Sequence, residues 1–287
     1  MDMILLQLKG ISSNSSFTLP ELRLKTLIMA KTLAIAVSLA ISALAAPAYL
    51  DDSTGRIVGG SPAKLGQFPS MLAINFGGEQ TCGAMLLGPK LALTAAHCIG
   101  TKPSGASVRA GSLNGTSGGI ESPVKSALHH PEAEEHDIAL MYLEKPIAET
   151  AEIKYAKLPP QGQDPKANSQ VTVSGWGNTV YNGTSSPVLL YVSVLVNGRE
   201  GCKAAYAKLN DTVTDQMVCA GGEVDGKDSC HGDSGGPLYE AGTNMPVGIV
   251  SWGHECGRKG YGGVYVRIGS YSDWIMKNKE PPKAIRN

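Results

Sequence analysis

The chain has 287 residues, with 25 Lys and Arg against 25 Asp and Glu and a formal net charge of zero, so the basic excess that marks a nucleic-acid partner is absent. Hydrophobic residues make up 42%, charged residues only 17% and aromatics 6%, alongside 35 glycines. That balance suits short strands joined by tight turns, and argues against intrinsic disorder, coiled coils and long helical arrays. The length allows one large all-β domain or two small ones.

In chain order, the first element is an export signal. Residues 32–46, TLAIAVSLAISALAA, form an apolar run behind Lys25 and Lys31 and end in small residues, which is the organisation of a secretory signal. Ala43-Leu44-Ala45 and Ala46-Pro47-Ala48 both offer the small-x-small pattern before a cut. A membrane-spanning helix is the alternative, but a span needs roughly 18 to 20 apolar residues and this run falls short. Met29 opens a more conventional signal than Met1 and is a candidate start.

Export changes how the six cysteines read. An even number in a secreted chain favours disulfides over metal, and no CxxC pair with matching His is present. Six cysteines allow fifteen pairings, and spacing favours the neighbours Cys82 and Cys98, Cys202 and Cys219, Cys230 and Cys256. Sequons at Asn114, Asn182 and Asn210 are glycosylation candidates in an exported chain, whereas Asn14 precedes the signal.

Beyond Arg56 the pattern is almost entirely strands. The runs at 70–76, 91–97, 138–143, 171–176, 189–196 and 247–252 are β-branched or alternating, and Gly, Pro, Asn and Ser clusters separate them. The polar, proline-rich stretch 157–170 (KLPPQGQDPKANSQ) is the best candidate boundary. One helix is predicted near the end, with Ser270 as cap, Asp273 three residues on, and Tyr271, Trp274 and Ile275 on one face.

Three segments carry chemistry. LTAAHC puts His97 at the end of an apolar run beside Cys98, HDIAL puts Asp137 before a buried run, and GDSGGP puts Ser234 in a glycine-rich turn. Glycines on both sides of a serine admit backbone conformations closed to other residues and let a carbonyl approach closely. Nucleophilic serine chemistry needs a hydroxyl, an imidazole to take its proton and a carboxylate to fix the imidazole's tautomer.

From Ile57 to about Lys279 the chain resembles the trypsin/chymotrypsin family. The landmarks are RIVGG (56–60), TAAHC (94–98), DIAL (137–140), GWG (175–177), GKDSCHGDSGGP (226–237), SWG (251–253) and GVY (263–265). The resemblance implies an all-β fold of two six-stranded antiparallel barrels, roughly 57–165 and 166–270, with a C-terminal helix at about 271–279. It also implies a signal region over 1–45, an activation propeptide over 46–56 and a peptidase domain over 57–287, and the neighbour disulfides coincide with family bridges.

By the same resemblance Ser234 is the nucleophile, His97 the general base and then acid, and Asp137 the carboxylate that orients His97. The backbone N–H groups of Gly232 and Ser234 form the oxyanion hole. Asp228 floors the pocket for the side chain before the scissile bond, which implies Arg or Lys there. Ser229 stands beside that floor, Gly253 and Gly263 form the walls, and His231 stands at the rim where trypsins commonly carry Gln. Ser251 and Trp252 match the segment that pairs with substrate backbone. Cleavage between Arg56 and Ile57 would free an ammonium on Ile57 to pair with Asp233.

The expected molecule is a secreted, monomeric serine endopeptidase acting on Arg- or Lys-containing proteins and peptides, with protein inhibitors as further partners. No cofactor, nucleic acid or metal is expected, and no membrane after signal removal. The segment 110–122 lacks the paired glutamates of a calcium loop. The alternative function is a catalytically inactive homologue acting as a binding or inhibitor protein.

Overall fold

Strands dominate the computed structural model, which describes residues 57–100 and 103–281. The export signal, the propeptide and Arg56 lie outside the described residues. β1 (Ser61–Pro62) is followed by β2 (Met71–Phe76), β3 (Glu79–Gly88), β4 (Leu91–Thr94), β5 (Ala106–Ala110), β6 (Ile120–His129) and β7 (Ala139–Leu143). β2 to β7 form a closed antiparallel barrel in the order β2-β3-β4-β7-β6-β5.

The barrel's strands read apolar because both faces are covered. Along β2, Leu72 and Ile74 enter the barrel core with Met85, Leu93, Val108 and Leu140. The alternate residues Met71 and Ala73 join Phe68, Trp176, Leu189 and Tyr239 in a separate cluster. Period-two alternation therefore sends one set of side chains inward and the other against the second sheet.

That sheet contains β8 (Gln170–Gly175), β9 (Leu190–Leu195), β10 (Met217–Ala220), β11 (Pro237–Glu240), β12 (Pro246–Trp252) and β13 (Gly263–Arg267). Its order is β1-β9-β8-β11-β12-β13-β10. The six expected strands are present, but β1 adds a seventh at the edge through Ser61 and Pro62 pairing with Tyr191 and Leu190. The seam between β9 and β10 is joined by one isolated bridge, Val196 to Ala220. The second barrel is thus a half-open sheet, and residues 61–62 belong to it rather than to the first barrel.

Three expectations about local structure are corrected. The run 91–97 is strand only to Thr94; Ala96–Cys98 is a 3-10 turn that carries His97. α1 (Ala133–His136) and α2 (Arg199–Ala207) were not legible as helices; α2 buries only Cys202 and Tyr206, one turn apart. α3 spans Ser272–Lys277, and Ser270 does not cap it: Ser270 lies in the 3-10 turn Ile268–Ser270, and Oγ of Ser270 has no partner. Tyr271 and Ile275 are buried as expected, in the core of the first barrel.

The stretch 157–170 is a strap between the two sheets. The Gly162 N–H donates to Gly269 O at 2.6 Å and Ser272 Oγ to Pro159 O at 2.6 Å. All three neighbour disulfides form: Cys82–Cys98, Cys202–Cys219 and Cys230–Cys256. The first closes a separation of 16 residues, which on loop entropy alone stabilises by ~3 kcal/mol.

Candidate active site

The sequence turns sharply after β4, and the Cys82–Cys98 bridge ties that turn to β3. His97 therefore projects towards Asp137. Its Nδ1 lies 2.9 Å from Asp137 Oδ2 and 3.1 Å from Oδ1, and its backbone N–H donates to Oδ1 at 3.0 Å. A carboxylate only accepts, so Nδ1 carries the proton and Nε2 keeps a free lone pair. The Asp137 hydrogen bond raises the His97 pKa above 6.5, overcoming the opposing effect of burial. Asp137 stands at the end of α1 in the left-handed region (φ 38°, ψ 47°), its N–H donating to Ala133 O at 2.9 Å. A second donor reaches the carboxylate from the other sheet, Ser251 Oγ to Asp137 Oδ2.

Ser234 sits in a turn that glycine makes possible. Gly232 and Gly235 have φ of 94° and 78°, and a Cβ on Gly235 would lie 2.1 Å from Thr94 Oγ1. The N–H groups of Asp233, Gly235 and Gly236 all donate to carbonyls, whereas those of Gly232 and Ser234 have no acceptor among the described residues. Two free N–H groups flanking a serine hydroxyl are the donor arrangement of an anion-stabilising hole. The hydrogen bonds of the His97 ring go to Asp137, its Nε2 lies 3.7 Å from the disulfide sulfur of Cys98, and none reaches the Ser234 hydroxyl. Apo sites commonly show that contact long.

A recess of about 310 Å³ is lined by Ser234 together with Asp228, Ser229, His231, Trp252, Gly253 and Gly263. Asp228 is only 4% exposed, accepting from the N–H groups of Ser229 (2.8 Å) and Gly257 (3.0 Å). It has no cationic partner among the described residues, and burial pushes its pKa up to about 7. The wall must be bare: a Cβ on Gly263 would lie 2.8 Å from Asp228 Oδ1. Ser251 and Trp252 also line a neighbouring recess of about 620 Å³ that contains His97 and Asp137. His97, Asp137, Ser234, Asp228, Ser229, His231, Ser251, Trp252, Gly253 and Gly263 therefore line two adjoining recesses, whereas Ile57, Gly232 and Asp233 line neither.

Comparison with known proteins gives the family. The trypsin family model matches residues 57–275. The chain belongs to the trypsin family. It is similar to trypsin 5G1 of Aedes aegypti, with 39% identity over 230 residues, 78% of this chain and 85% of the relative. It is similar also to trypsin Blo t 3 of Blomia tropicalis, at 38% over 236 residues (79% and 87%). Alkaline trypsin C of Manduca sexta is 37% identical over 245 residues (82% and 95%). The chain is a serine protease hydrolase, and its substrates are proteins. Among its described residues no helix is long and apolar enough to cross a membrane.

Beside Asp233, which the resemblance already names, several residues of this trypsin-family site were not legible in sequence. Asp233, fully buried, accepts from the Gly177 N–H at 2.8 Å and the Cys230 N–H at 2.9 Å, and burial pushes its pKa up to about 7. A Cβ on Gly175 would lie 2.0 Å from Asp233 Oδ1, so both glycines of the GWG landmark serve that carboxylate. Gln80 donates to Gly232 O at 2.9 Å and to Cys82 O at 2.9 Å, tying the serine turn to β3. Tyr206 of α2 donates to Gly262 O at 2.7 Å and packs edge-on against Trp252. Of these, Asp233 left a sequence signal as the expected partner of the Ile57 ammonium, and the GWG glycines left one as a motif without a stated cause.

The remaining expected residues fall as follows. Ile57 is fully buried with Val171, Val173 and Leu190, and Val58 O accepts from the Asp228 N–H at 3.2 Å. His231 is exposed, its ring 5.8 Å from that of Tyr181. Asn182 and Asn210 are exposed with left-handed φ of 56° and 61°, while Asn114 Oδ1 accepts from Thr116 and Ser117. A recess of about 1330 Å³ beside Leu91, Tyr142 and Ile275, larger than either of the two adjoining recesses, contains none of the expected site residues. Size does not locate the chemistry.

Proposed function

We propose that this protease is a secreted endopeptidase that cleaves after Arg or Lys through an acyl-enzyme, and that it is made as a zymogen activated between Arg56 and Ile57. The observation that carries the specificity is the buried, cation-free carboxylate of Asp228 in the same recess as Ser234. An uncompensated buried charge is costly, and a guanidinium or ammonium entering the recess relieves that cost. Glycines at 253 and 263 leave room for a long side chain. The names of the relatives, all trypsins, support the same reading.

Catalysis then follows from proton positions. His97 Nε2, its lone pair free because Asp137 holds Nδ1–H, takes the Ser234 proton as Oγ attacks the scissile carbonyl. The negative oxygen that forms is stabilised by the Gly232 and Ser234 N–H groups. The imidazolium, stabilised by Asp137, passes its proton to the leaving amine; water then repeats the cycle on the acyl-enzyme. Ser251 keeps Asp137 in place through its donated bond. Ser229 offers the incoming cation a hydroxyl beside Asp228, and His231 tunes the rim.

Activation rests on two features. Ile57 adopts φ of 43°, a left-handed conformation that is unfavourable for a β-branched residue. Asp233 is a fully buried carboxylate whose bonds come from backbone N–H groups alone. Cutting before Ile57 frees its φ from the preceding carbonyl and supplies an ammonium for Asp233. Secretion rests on the apolar signal at residues 32–46, and a monomeric state with protein inhibitors as partners accords with it. The test is turnover of an Arg-anilide after cleavage at Arg56. Rapid hydrolysis abolished by Ser234→Ala or by a serine-directed phosphonylating reagent supports the reading, and no turnover from folded, processed protein refutes it.

A further inference from the structure

His130, Glu132 and His136 have no part in the machinery above, yet they lie in the segment that leads directly into Asp137. One ligand atom of each lies within 4.8 Å of the others. The two imidazole Nδ1 atoms are 3.2 Å apart, and Glu132 Oε2 is 3.7 Å from His136 Nδ1. Two other clusters of the same kind each contain a pair of disulfide-bonded cysteines, whose sulfurs are not thiolates. The histidine cluster is different: Glu132 and His136 offer lone pairs, and His130 Nδ1 offers one on releasing the long 3.3 Å hydrogen bond it accepts from the Glu132 N–H.

Hydrogen bonding alone explains the contact poorly. His130 Nδ1 already accepts from the Glu132 N–H at 3.3 Å, so a bond from His136 makes it the acceptor of two long donors at once. A metal explains the spacing better. Zinc–nitrogen bonds of about 2.0–2.1 Å at tetrahedral angles place two nitrogens about 3.3 Å apart, against 3.2 Å between these rings. The Glu132 carboxylate needs only a small movement, and its side chain is 68% exposed. Both rings pack against Tyr271, whose hydroxyl is buried without a partner, and His130 packs also on Trp274. His136 and Tyr271 line the open recess shared with His97 and Asp137, which gives an ion access and leaves a position for water. Two imidazoles and one carboxylate suit zinc-like ions rather than calcium or magnesium, which want oxygen ligands.

We propose that His130, Glu132 and His136 form a binding site for a late first-row divalent cation of the Zn²⁺ class, and that occupancy slows proteolysis through the adjacent Asp137. Two positive charges held by a single carboxylate leave net positive charge beside Asp137, opposing the imidazolium that His97 must form in the transition state. The ligands also fetter α1, whose end sets the Asp137 backbone. The binding claim stands by itself, whereas the coupling rests on the catalytic reading of Asp137.

The experiment is titration of the processed enzyme with Co²⁺ followed by its visible d–d absorption, and with Zn²⁺ by calorimetry. One equivalent is expected to bind, with the Co²⁺ spectrum of a low-coordinate nitrogen–oxygen site. His136→Asn and Glu132→Gln should each weaken binding at least about tenfold, with metal-free kcat/KM within about twofold of the parent. Saturating Zn²⁺ should lower kcat of the parent and leave His136→Asn unaffected. Absence of a one-equivalent site, or a site retained in both variants, overturns the proposal. If His136→Asn fails to fold, Glu132→Gln carries the test. Binding without loss of turnover overturns the coupling while leaving the site, and the spectrum reads the site even in an enzyme that does not turn over.

Discussion

Gly177 donates its N–H to Asp233 Oδ1 at 2.8 Å, and a Cβ on Gly177 would lie 2.6 Å from the same carboxylate. The two residues come from different segments, one following β8 and the other in the turn that holds Ser234. Any side chain at 177 must push Asp233 or its turn aside. Gly177→Ala should destabilise the fold by ~1–3 kcal/mol, the usual cost of overpacking, and lower kcat/KM as Ser234 shifts with its neighbour. Urea unfolding and anilide hydrolysis check both, and an unchanged midpoint with unchanged kcat/KM contradicts the assignment.

Asp228 gives a pH dependence with a definite sign. Its folded pKa is raised from 3.8 to about 7 by burial, so the fold favours the protonated form. That contribution is whole below about pH 4 and is lost as pH rises through 7. Asp228→Asn cannot ionise, so its stability relative to the parent should improve between pH 5 and pH 8, on the order of 2–4 kcal/mol. Reading the change with pH, rather than one value, removes any constant cost of the amide. A difference independent of pH argues against a charged, unpaired floor.

On the proposed reading the same carboxylate governs cation binding. An amidinium inhibitor pairs with ionised Asp228, so its affinity should rise between pH 6 and pH 8, and binding should release a proton. Turnover also needs neutral His97, whose pKa stands above 6.5 through Asp137; kcat/KM should therefore climb with pH through both groups, while inhibitor affinity follows Asp228. Calorimetry in buffers of different ionisation enthalpy separates them. Affinity flat from pH 6 to pH 8 with no proton release contradicts the account.

At alkaline pH the limiting group is the proposed Ile57 ammonium. An α-amino group titrates near ~8 when free, and pairing with Asp233 raises that value. Its contribution is complete below ~8 and is lost as pH climbs through the raised value. The processed enzyme should lose activity there, and acetylating mature Ile57 should abolish turnover at every pH. Full activity after acetylation rejects the mechanism.

Gln80 tests the oxyanion turn without touching substrate. It donates to Gly232 O at 2.9 Å, and losing that bond should cost ~1 kcal/mol. Gln80→Ala should lower kcat by about fivefold to tenfold at nearly constant KM, whereas a purely structural role moves the unfolding midpoint alone.

How far the sequence reaches depends on where the information sits. His97, Asp137, Ser234 and Asp228 were legible because each is flanked by a short motif, and all lie in two adjoining cavities. Strands such as β7, with five buried residues in succession, announce themselves. β3 and β6 do not, because β3 opens on the polar residues Glu79, Gln80 and Thr81 and β6 contains Pro123. Gln80 and Tyr206 were invisible for another reason: their partners, Gly232 O and Gly262 O, are 152 and 56 residues away. The cluster of His130, Glu132 and His136 was in plain view as letters, but only the turn of α1 brings the two rings together.

The most direct test is kcat/KM of the protein cleaved between Arg56 and Ile57, measured on matched peptide anilides ending in Arg, Lys and Phe, beside Asp228→Ser. Losing one partner of a desolvated ion pair costs ~2–5 kcal/mol, or ~30-fold to several thousand-fold in rate. The account predicts strong hydrolysis of the Arg and Lys substrates, weak hydrolysis of the Phe substrate, and a loss of that size for the cationic substrates alone in the variant. Equal hydrolysis of all three, or an Asp228→Ser enzyme that keeps its Arg and Lys activity, would contradict it.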